Sequence, residues 1–458
     1  MDCSSRLPPE ITLEILSRVP SETILDCKAV CRIWRNLLRP VSFSKIHFHH
    51  HHNHDDDSGK LSFLASTSKK NTDSDNLEFK YFEYNKNHDS ETSIERIKRV
   101  NFKPPFSDAK IVASSNGLLC LTGTPSVCIC NPITREHIML PEIKTQYCDS
   151  HQNCMWTNGF GYLSSTNEYK VVAIHASSQP VFVEVQIYTL GSRNGWRNLG
   201  RFNMDLCQLI NAFLPQGIFA NGALYWIAGD LDMIVTFDLA EEKFCENLSP
   251  PPSPPNGTWI WNGIRVLDGC LYIAVWKIVE EDGGDEGEWF DIWLLKKKNN
   301  NDGLKEREGY QSLGWTKEFR LVEDRLVAVT KSGGVITHVT YRVNCFNIYD
   351  LKSSTPKRFG DLKECFVHEI FPHKNTLVSL KELGEEDTKI MEPIEIEKTG
   401  RRDLPLEQPK EVEALDALLS LKEIRVKDKE IMESIQIEET ESHGSPSEKP
   451  EEDEARDT

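Results

Sequence analysis

Cysteine, histidine and carboxylate side chains are plentiful in this chain, and their spacing decides what chemistry they can do. The thirteen cysteines include no C-x-x-C pair. Cys128 and Cys130 alternate on an expected strand and share a face, which fits buried free thiols better than a zinc site. His47, His49, His50, His51, His52 and His54 crowd into HFHHHHNHDDDS, residues 47–58. A histidine tract holds transition metals weakly, but nothing around this one would fix ligand geometry, so it reads as a low-complexity linker. Gly159-Phe160-Gly161 lacks the third glycine of a nucleotide loop and falls where a hairpin needs flexible residues. There is no G-x-S-x-G elbow, no P-loop and no H-E-x-x-H pair. Asp238 and Asp350 stand at repeated turn positions, where a side chain bonding its own backbone accounts for them. This inventory assigns no catalytic residue, metal or cofactor. The expectation therefore moves from bond chemistry to binding.

Binding needs a surface, and the first candidate lies at the N-terminal end. Pro8 and Pro9 suit a first helical turn, and Ile11, Leu13, Ile15 and Leu16 follow in a helix that must stop near Pro20. Ser21 then offers an N-cap to a second apolar series, Ile24, Leu25, Cys27, Val30, Cys31, Trp34, Leu37 and Leu38, which Pro40 ends. A unit of about 40 residues buries too little surface to be secure alone. Its spare apolar residues want a partner.

The order Leu7-Pro8, Glu14-Ile15-Leu16, Val19-Pro20, Val30-Cys31, Trp34-Arg35 and a closing Phe43 resembles the F-box. That three-helix module docks a substrate receptor onto the Skp adaptor of a cullin-RING ubiquitin ligase. The match covers roughly residues 5 to 46, with Val19 where leucine is commoner. Carried over position by position, the resemblance implies that Leu7, Pro8, Ile15, Leu16, Pro20, Val30, Cys31 and Trp34 bind the Skp-type adaptor or build the core of the module. For Leu16 and Trp34 the two roles are equally open, because so small a module does not separate core from interface.

From about Leu61 to Leu380 the pattern changes to short strands. Asn116-Gly117-Leu118-Leu119-Cys120-Leu121, Asn221-Gly222-Ala223-Leu224-Tyr225-Trp226 and Asp268-Gly269-Cys270-Leu271-Tyr272-Ile273 each read as a tight turn followed by a strand. A second signature follows: Val127-Cys128-Ile129-Cys130-Asn131-Pro132, Ile234-Val235-Thr236-Phe237-Asp238-Leu239 and Cys345-Phe346-Asn347-Ile348-Tyr349-Asp350-Leu351. Each of these runs into a polar turn and a last strand headed by Arg135-Glu136, Glu242-Lys243-Phe244 or Lys357-Arg358-Phe359. Gly222 and Gly269 are 47 residues apart, while Gly117 and Gly222 are 105 apart, leaving room for a variant unit at Gly159–Trp196. A period of about 45–55 residues with about four strands fits a kelch-like β-propeller blade. The region then accommodates about six blades. Gly283–Glu288 and Lys298–Gly303 read as loop insertions, and Trp226, Trp276, Trp293 and Trp315 read as fillers between blades or as part of a recognition surface.

NGLLCL, ICNPITRE, GFGY, NEYKVV, EVQIYTLGS, NGALYWIA, FDLAEEKF, VLDGCLYI, DIWLLK and GWTKEF occur in that order. They resemble the F-box-associated domain of the large plant family of F-box proteins, over about residues 108–380. In that family the F-box comes first and the associated domain, which gathers substrate, comes second, as here.

The expected fold class is multidomain, α plus all-β: an F-box at 1–46, a linker at 47–60, a propeller-like domain at 61–380 and an acidic tail at 381–458. The net charge of −18 is uneven, with about −13 carried from Lys381 onward. The body is then nearly neutral and offers no basic stripe for nucleic acid. Lys296-Lys297-Lys298 reads as a solvated loop. No apolar run approaches the ~18 residues of a membrane span, and MDCSSRLPPE does not look like a secretion signal. The expected compartment is therefore reducing, cytoplasmic and/or nuclear. Leu377–Thr399 realigns on Leu418–Thr440 at an offset of 41, with more than half the positions identical. The first copy begins in the expected last strand, Thr376–Leu380. The tail is otherwise expected to be mostly disordered, with a short amphipathic helix near Ala414–Ile424 as the alternative.

These readings converge on a non-catalytic receptor. The F-box would hold a Skp-type adaptor and through it a cullin, while propeller loops select an unknown protein for ubiquitination. Two rivals stay open: a propeller scaffold or regulator without ubiquitin output, and a propeller enzyme with a site at its central channel.

Overall fold

The computed structural model describes the chain in stretches between Pro8 and Glu392; residues 1–7, residues 393–458 and many interstrand loops lie outside the described residues. Leu7, residues 51–54 of the histidine tract, residues 298–303, the second tail copy and the Ala414–Ile424 helix fall among these outside stretches.

The N-terminal module folds as α1 (Pro9–Ser17), α2 (Ser21–Val30) and α3 (Arg32–Leu37), and residues 42–48 are also helical. The single apolar series beyond Ser21 is broken at Cys31, whose extended backbone (φ −155°, ψ 164°) turns the chain. The Cys31 Sγ accepts from the Trp34 N–H at 3.4 Å and caps α3. Ser21 is not a cap. Pro20 takes that place, and the Ser21 hydroxyl donates instead to the Asn375 carbonyl at 3.3 Å. Leu16, Ile24, Leu38 and Phe43 are fully buried and form the core, with Leu13, Val19, Leu25, Cys27 and Trp34 packed around it. A fifth buried side chain, Leu377, arrives from the far end of the chain.

The strands build six sheets in a ring. Blade one contains β1 (Lys60–Lys69), β2 (Glu78–Asn85) and β3 (Ile94–Arg99). Blade two contains β4 (Lys110–Ser115), β5 (Leu118–Thr122), β6 (Val127–Cys130) and β7 (Glu136–Met139). Blade three contains β8 (Cys154–Leu163), β9 (Glu168–Ser178), β10 (Val181–Thr189) and β11 (Arg197–Phe202). Blade four contains β12 (Ile218–Ala220), β13 (Ala223–Ala228), β14 (Met233–Asp238) and β15 (Lys243–Phe244). Blade five contains β16 (Ile260–Leu267), β17 (Cys270–Glu280), β18 (Glu286–Lys297) and β19 (Leu313–Leu321). Blade six contains β20 (Arg325–Val329), β21 (Gly334–Val339), β22 (Cys345–Asp350) and β23 (Pro356–Asp361). The next strand, β24 (Cys365–Pro372), pairs with β1 and completes blade one from inside. The innermost strands β4, β8, β12, β16, β20 and β24 touch in that cyclic order, so the last inner strand closes the ring that the first three strands leave open. A short β25 (Lys389–Ile390) adds a fifth strand to blade two along β7.

The two strand signatures explain the turns. Asn116 and Gly117 have φ of 45° and 79°, and Asn221 and Gly222 have 48° and 82°, the paired left-handed geometry of a tight hairpin. At the same end of the blade, Asp238 Oδ1 accepts from Ala240 N at 2.9 Å and Glu241 N at 2.7 Å. Asn131 does the same toward Ile133 N and Thr134 N. Arg135 and Glu242 follow with φ of 60° and 54° and launch the last strand of their blades.

Each neighbouring pair of blades shares an apolar layer, as Val172, Val185, Leu224, Trp226 and Phe237 do between blades three and four. Trp226 is 1% exposed, and its indole N–H donates to Thr157 Oγ1 at 3.1 Å across that seam. Trp293 and Trp315 pack part-buried between blades four and five; the Trp276 side chain lies outside the described residues. Gly159 and Gly161 are not hairpin residues but lie within β8. A Cβ at Gly161 would stand 2.3 Å from Phe219 Cδ2, so glycine is there to let blade four close in. Lys296 and Lys297 belong to β18 rather than to a loop, and Lys296 pairs with Glu318 at 2.6 Å. Glu286–Glu288 of the expected insertion likewise extends β18. Cys120, Cys128 and Cys130 are buried free thiols, and burial pushes Cys120 and Cys130 well above the ordinary thiol range. Among the described residues no helix is long and apolar enough to cross a membrane.

Thr376–Leu380 forms no strand, contrary to expectation. Residues 381–392, assigned by their charge to the tail, are folded against the blades: Glu385 and Met391 are both buried. Their acidic composition misled because several of the carboxylates meet partners, described below.

Candidate functional site

Of the eight positions singled out in the N-terminal module, Leu7 lies outside the described residues and the other seven separate into distinct roles. Leu16 is 2% exposed and belongs to the core. Trp34 and Ile15 are half-buried, with Trp34 packed on that core. Cys31 caps α3, and Pro8 and Pro20 are exposed residues that start α1 and α2. Val30 is different: it ends α2 with 68% of its surface in solvent. Ile33, one turn on in α3, is 48% exposed, and Ile11 on α1 is 47% exposed. Isolated exposed apolar residues need no explanation. Four on one module of about 40 residues, Ile46 at 43% being the fourth and two of the others flanking a single helix junction, are what a partner would cover. Ile33 stands three residues after Val30 and four before Leu37, so spacing alone does not tell it from the apolar series around it, and only the break at Cys31 turns it outward.

Beneath the module lies the segment from Asn375 to Met391, which ties it to the propeller. Ser21 donates to the Asn375 carbonyl, and Ser44, buried, donates to the Leu377 carbonyl at 3.1 Å. His47 is 1% exposed; its Nε2 donates to the Val19 carbonyl at 2.7 Å and its ring lies against Phe43. It is a structural part of the module although composition placed it in the linker. On the propeller side, Asn131 is fully buried, and its Nδ2 donates to the carbonyls of Thr376 at 3.0 Å and Val378 at 2.8 Å. Glu136 accepts from Ser379 Oγ at 3.0 Å and from the Leu380 N–H at 2.6 Å. A Cβ on Gly117 would stand 2.1 Å from Thr376 Cγ2, so the first hairpin turn of blade two is shaped to the segment as well.

Farther along, Glu385 is 6% exposed and accepts from the Tyr188 hydroxyl at 3.1 Å and the Gly191 N–H at 2.7 Å. Burial, together with Glu385, pushes the Tyr188 phenol up. Arg193 pairs with Glu386 at 2.9 Å, and Met391 N–H donates to the Arg135 carbonyl at 2.8 Å. Lys28 on α2 is depressed by burial, an effect partly offset by the nearby charges of Glu382 and Glu136. Glu382 is raised by burial, while Lys28 and Arg39 act to lower it. Opposite charges thus face each other where α2 approaches blade two.

The module occupies the side of the ring on which the inner strands end, because β24 runs directly from Pro372 into this segment. Inner strands run parallel around the ring, as the Gly159–Gly217 bridge shows. The opposite side therefore carries the ends of β1, β5, β9, β13, β17 and β21 and the starts of the strands that follow them. Among the described residues no group of three or more His, Cys, Asp or Glu side chains could hold a metal ion.

Comparison with known proteins agrees with this architecture. Residues 53–360 match the family described as F-box associated beta propeller domain, and residues 4–49 match the F-box-like family. An F-box protein of Arabidopsis thaliana is 28% identical over 353 residues, covering 69% of this chain and 72% of its own. Arabidopsis F-box protein CPR1 is 25% identical over 348 residues, covering 70% of this chain and 74% of its own. F-box protein DOR of the same plant is 25% identical over 382 residues, covering 77% of this chain and 87% of its own. With three helices carrying exposed Val30 and Ile33 at one end, six blades behind them and both family patterns in sequence order, the chain belongs to the F-box proteins that bear an F-box-associated β-propeller domain.

Proposed function

We propose that the chain is the substrate-recognition subunit of a Skp-cullin-F-box ubiquitin ligase. The F-box captures a Skp-type adaptor through Val30, Ile33 and Ile11, and the adaptor joins it to a cullin. The blade connections on the side away from the F-box receive the target protein. The observation that carries this reading is the exposure of Val30 (68%) and Ile33 (48%) on either side of one helix junction, beside a core in which Leu16, Ile24, Leu38 and Phe43 are almost wholly buried. Catalysis here is proximity: the receptor raises the local concentration of the target beside the ligase, and no side chain of its own breaks a bond. A rigid propeller suits that task because it holds variable loops on a fixed frame. The eight free cysteines of the described residues support a reducing compartment, and the reading places the protein in the cytoplasm or nucleus.

The experiment is capture of a purified Skp-type adaptor by the full chain. Val30→Asp with Ile33→Asp is expected to weaken capture by at least about tenfold, since desolvating a carboxylate at an interface centre is costly. Both side chains already face water, so the melting of the blades stays in place. An unaltered protein that binds neither adaptor nor cullin would overturn the ligase reading and leave a scaffold. A chain lacking residues 1–46 should accumulate bound target in cells, as measured by mass spectrometry, because the target is held without being ubiquitinated.

A further inference from the structure

The F-box sequence ends by residue 49, yet the core of the folded module includes a side chain from beyond the last inner strand. Leu377 is 1% exposed and packs with Leu16, Ile24, Leu38 and Phe43. The backbone on either side of it is engaged in both directions: the carbonyls of residues 375 and 377 accept from Ser21 and Ser44 of the F-box, and those of residues 376 and 378 accept from Asn131 of blade two. This alternation is what an extended segment provides, successive carbonyls pointing to opposite sides. Three further anchors hold the segment to blades two and three, at Glu136, at Tyr188 with Gly191, and at the β25–β7 pairing.

We propose that residues 375–391 are a strap that completes the F-box core and ties it to blades two and three, with Leu377, Asn131 and Glu136 as positioning residues for adaptor capture. The F-box is then not an autonomous module on a loose linker. Its docking residues are presented at a fixed place relative to the propeller, and its stability is set in part by residues outside the F-box sequence. The consequence for capture rests on the ligase reading above; the shared core does not.

The test is hydrogen exchange of the full chain, followed at the backbone amides of α1–α3, with β13 and β14 of blade four as internal reference. Leu377→Ala is expected to speed exchange in α1–α3 by about thirtyfold or more, the change a cavity of that size produces, while the reference strands keep their rates. Leu377→Met, which keeps the volume, is expected to restore the original rates. Adaptor capture should fall with the first variant and return with the second. Unaltered exchange in α1–α3 with Leu377→Ala would overturn the strap. Should that variant fail to fold, as the reference strands would reveal, Ser44→Ala removes one strap contact without a core cavity and must show the same selective acceleration, or the proposal fails. An unaltered chain that ignores the adaptor would sink the ligase reading alone, because the exchange measurement needs no adaptor.

Discussion

Asn131→Asp should separate the two jobs of one side chain. The Oδ1 atom of Asn131 closes its own turn, accepting from Ile133 N at 2.9 Å, and Asp238 closes the equivalent turn of blade four with a carboxylate. The turn therefore survives the change. The Nδ2 atom does not: an oxygen would replace a donor that stands 3.0 Å from the Thr376 carbonyl and 2.8 Å from that of Val378. Loss of two donations costs about 1–3 kcal/mol. The new carboxyl is also fully buried and faces two carbonyl oxygens, which raises its pKa. A rise of about three units adds about 4 kcal/mol at neutral pH, unless the strap moves away first and caps the penalty. The two terms together set an upper bound of about 5–7 kcal/mol at pH 7.5, which retreat of the strap lowers. A carboxyl with its folded pKa above its unfolded value binds a proton on folding, so stability is largest at low pH and falls as pH rises through both values. At pH 5 the protonated carboxyl can donate one bond, and about half the loss should return. Hydrogen exchange of the amides at 376–382, measured at both pH values with the intrinsic rate divided out, reports this directly. Strap protection within about 0.5 kcal/mol of the original at pH 7.5 would refute the reasoning.

Leu16→Ala is expected to cost the F-box about 2–5 kcal/mol and to abolish adaptor capture by unfolding α1–α3, whereas Val30→Ala should weaken capture with exchange in those helices unchanged. Burial holds His373 down to about 4, below its ordinary 6.5, so the folded chain resists the proton that the unfolded chain takes up. Stability should then decline by about 3 kcal/mol as pH falls from 6.5 to 4, and His373→Asn should remove that component from a pH series of denaturant unfolding curves. Gly161→Ala pushes a methyl into Phe219 and should cost about 1–3 kcal/mol. The double change with Phe219→Ala should recover part of it, a coupling that a double-mutant cycle measures.

The blades were legible in the sequence because each carries its own local evidence. Asn-Gly at 116–117 and 221–222 demands left-handed turns, and the apolar strands that follow satisfy a period of two. Closure was not legible: β24 pairs with β1 across the whole domain, and no local pattern announces a partner 300 residues away. The tail misled for a related reason. Glu382 and Glu385 count as solvated charge in any composition, yet the first lies beside Lys28 and the second beneath Tyr188. In the F-box, motif order found the module but not its surface. Leu16 and Val30 are equally conspicuous in the pattern; one is buried at 2%, the other exposed at 68%, and only the packing of Leu377 and its neighbours distinguishes them.

The position of Leu377 also fixes an order of events during synthesis. Ser44 and the Leu377 carbonyl it holds are 333 residues apart, so the F-box leaves the ribosome long before its last core side chain exists. At about 5–20 residues per second the interval is roughly 15–70 s. Throughout it the nascent F-box is an incomplete bundle. On the ligase reading, an adaptor would meet a finished docking face only after the sixth blade has been translated and β24 has closed the ring. Truncated chains released early would present helices without a settled core, and so would not occupy the ligase in place of receptors able to hold a target.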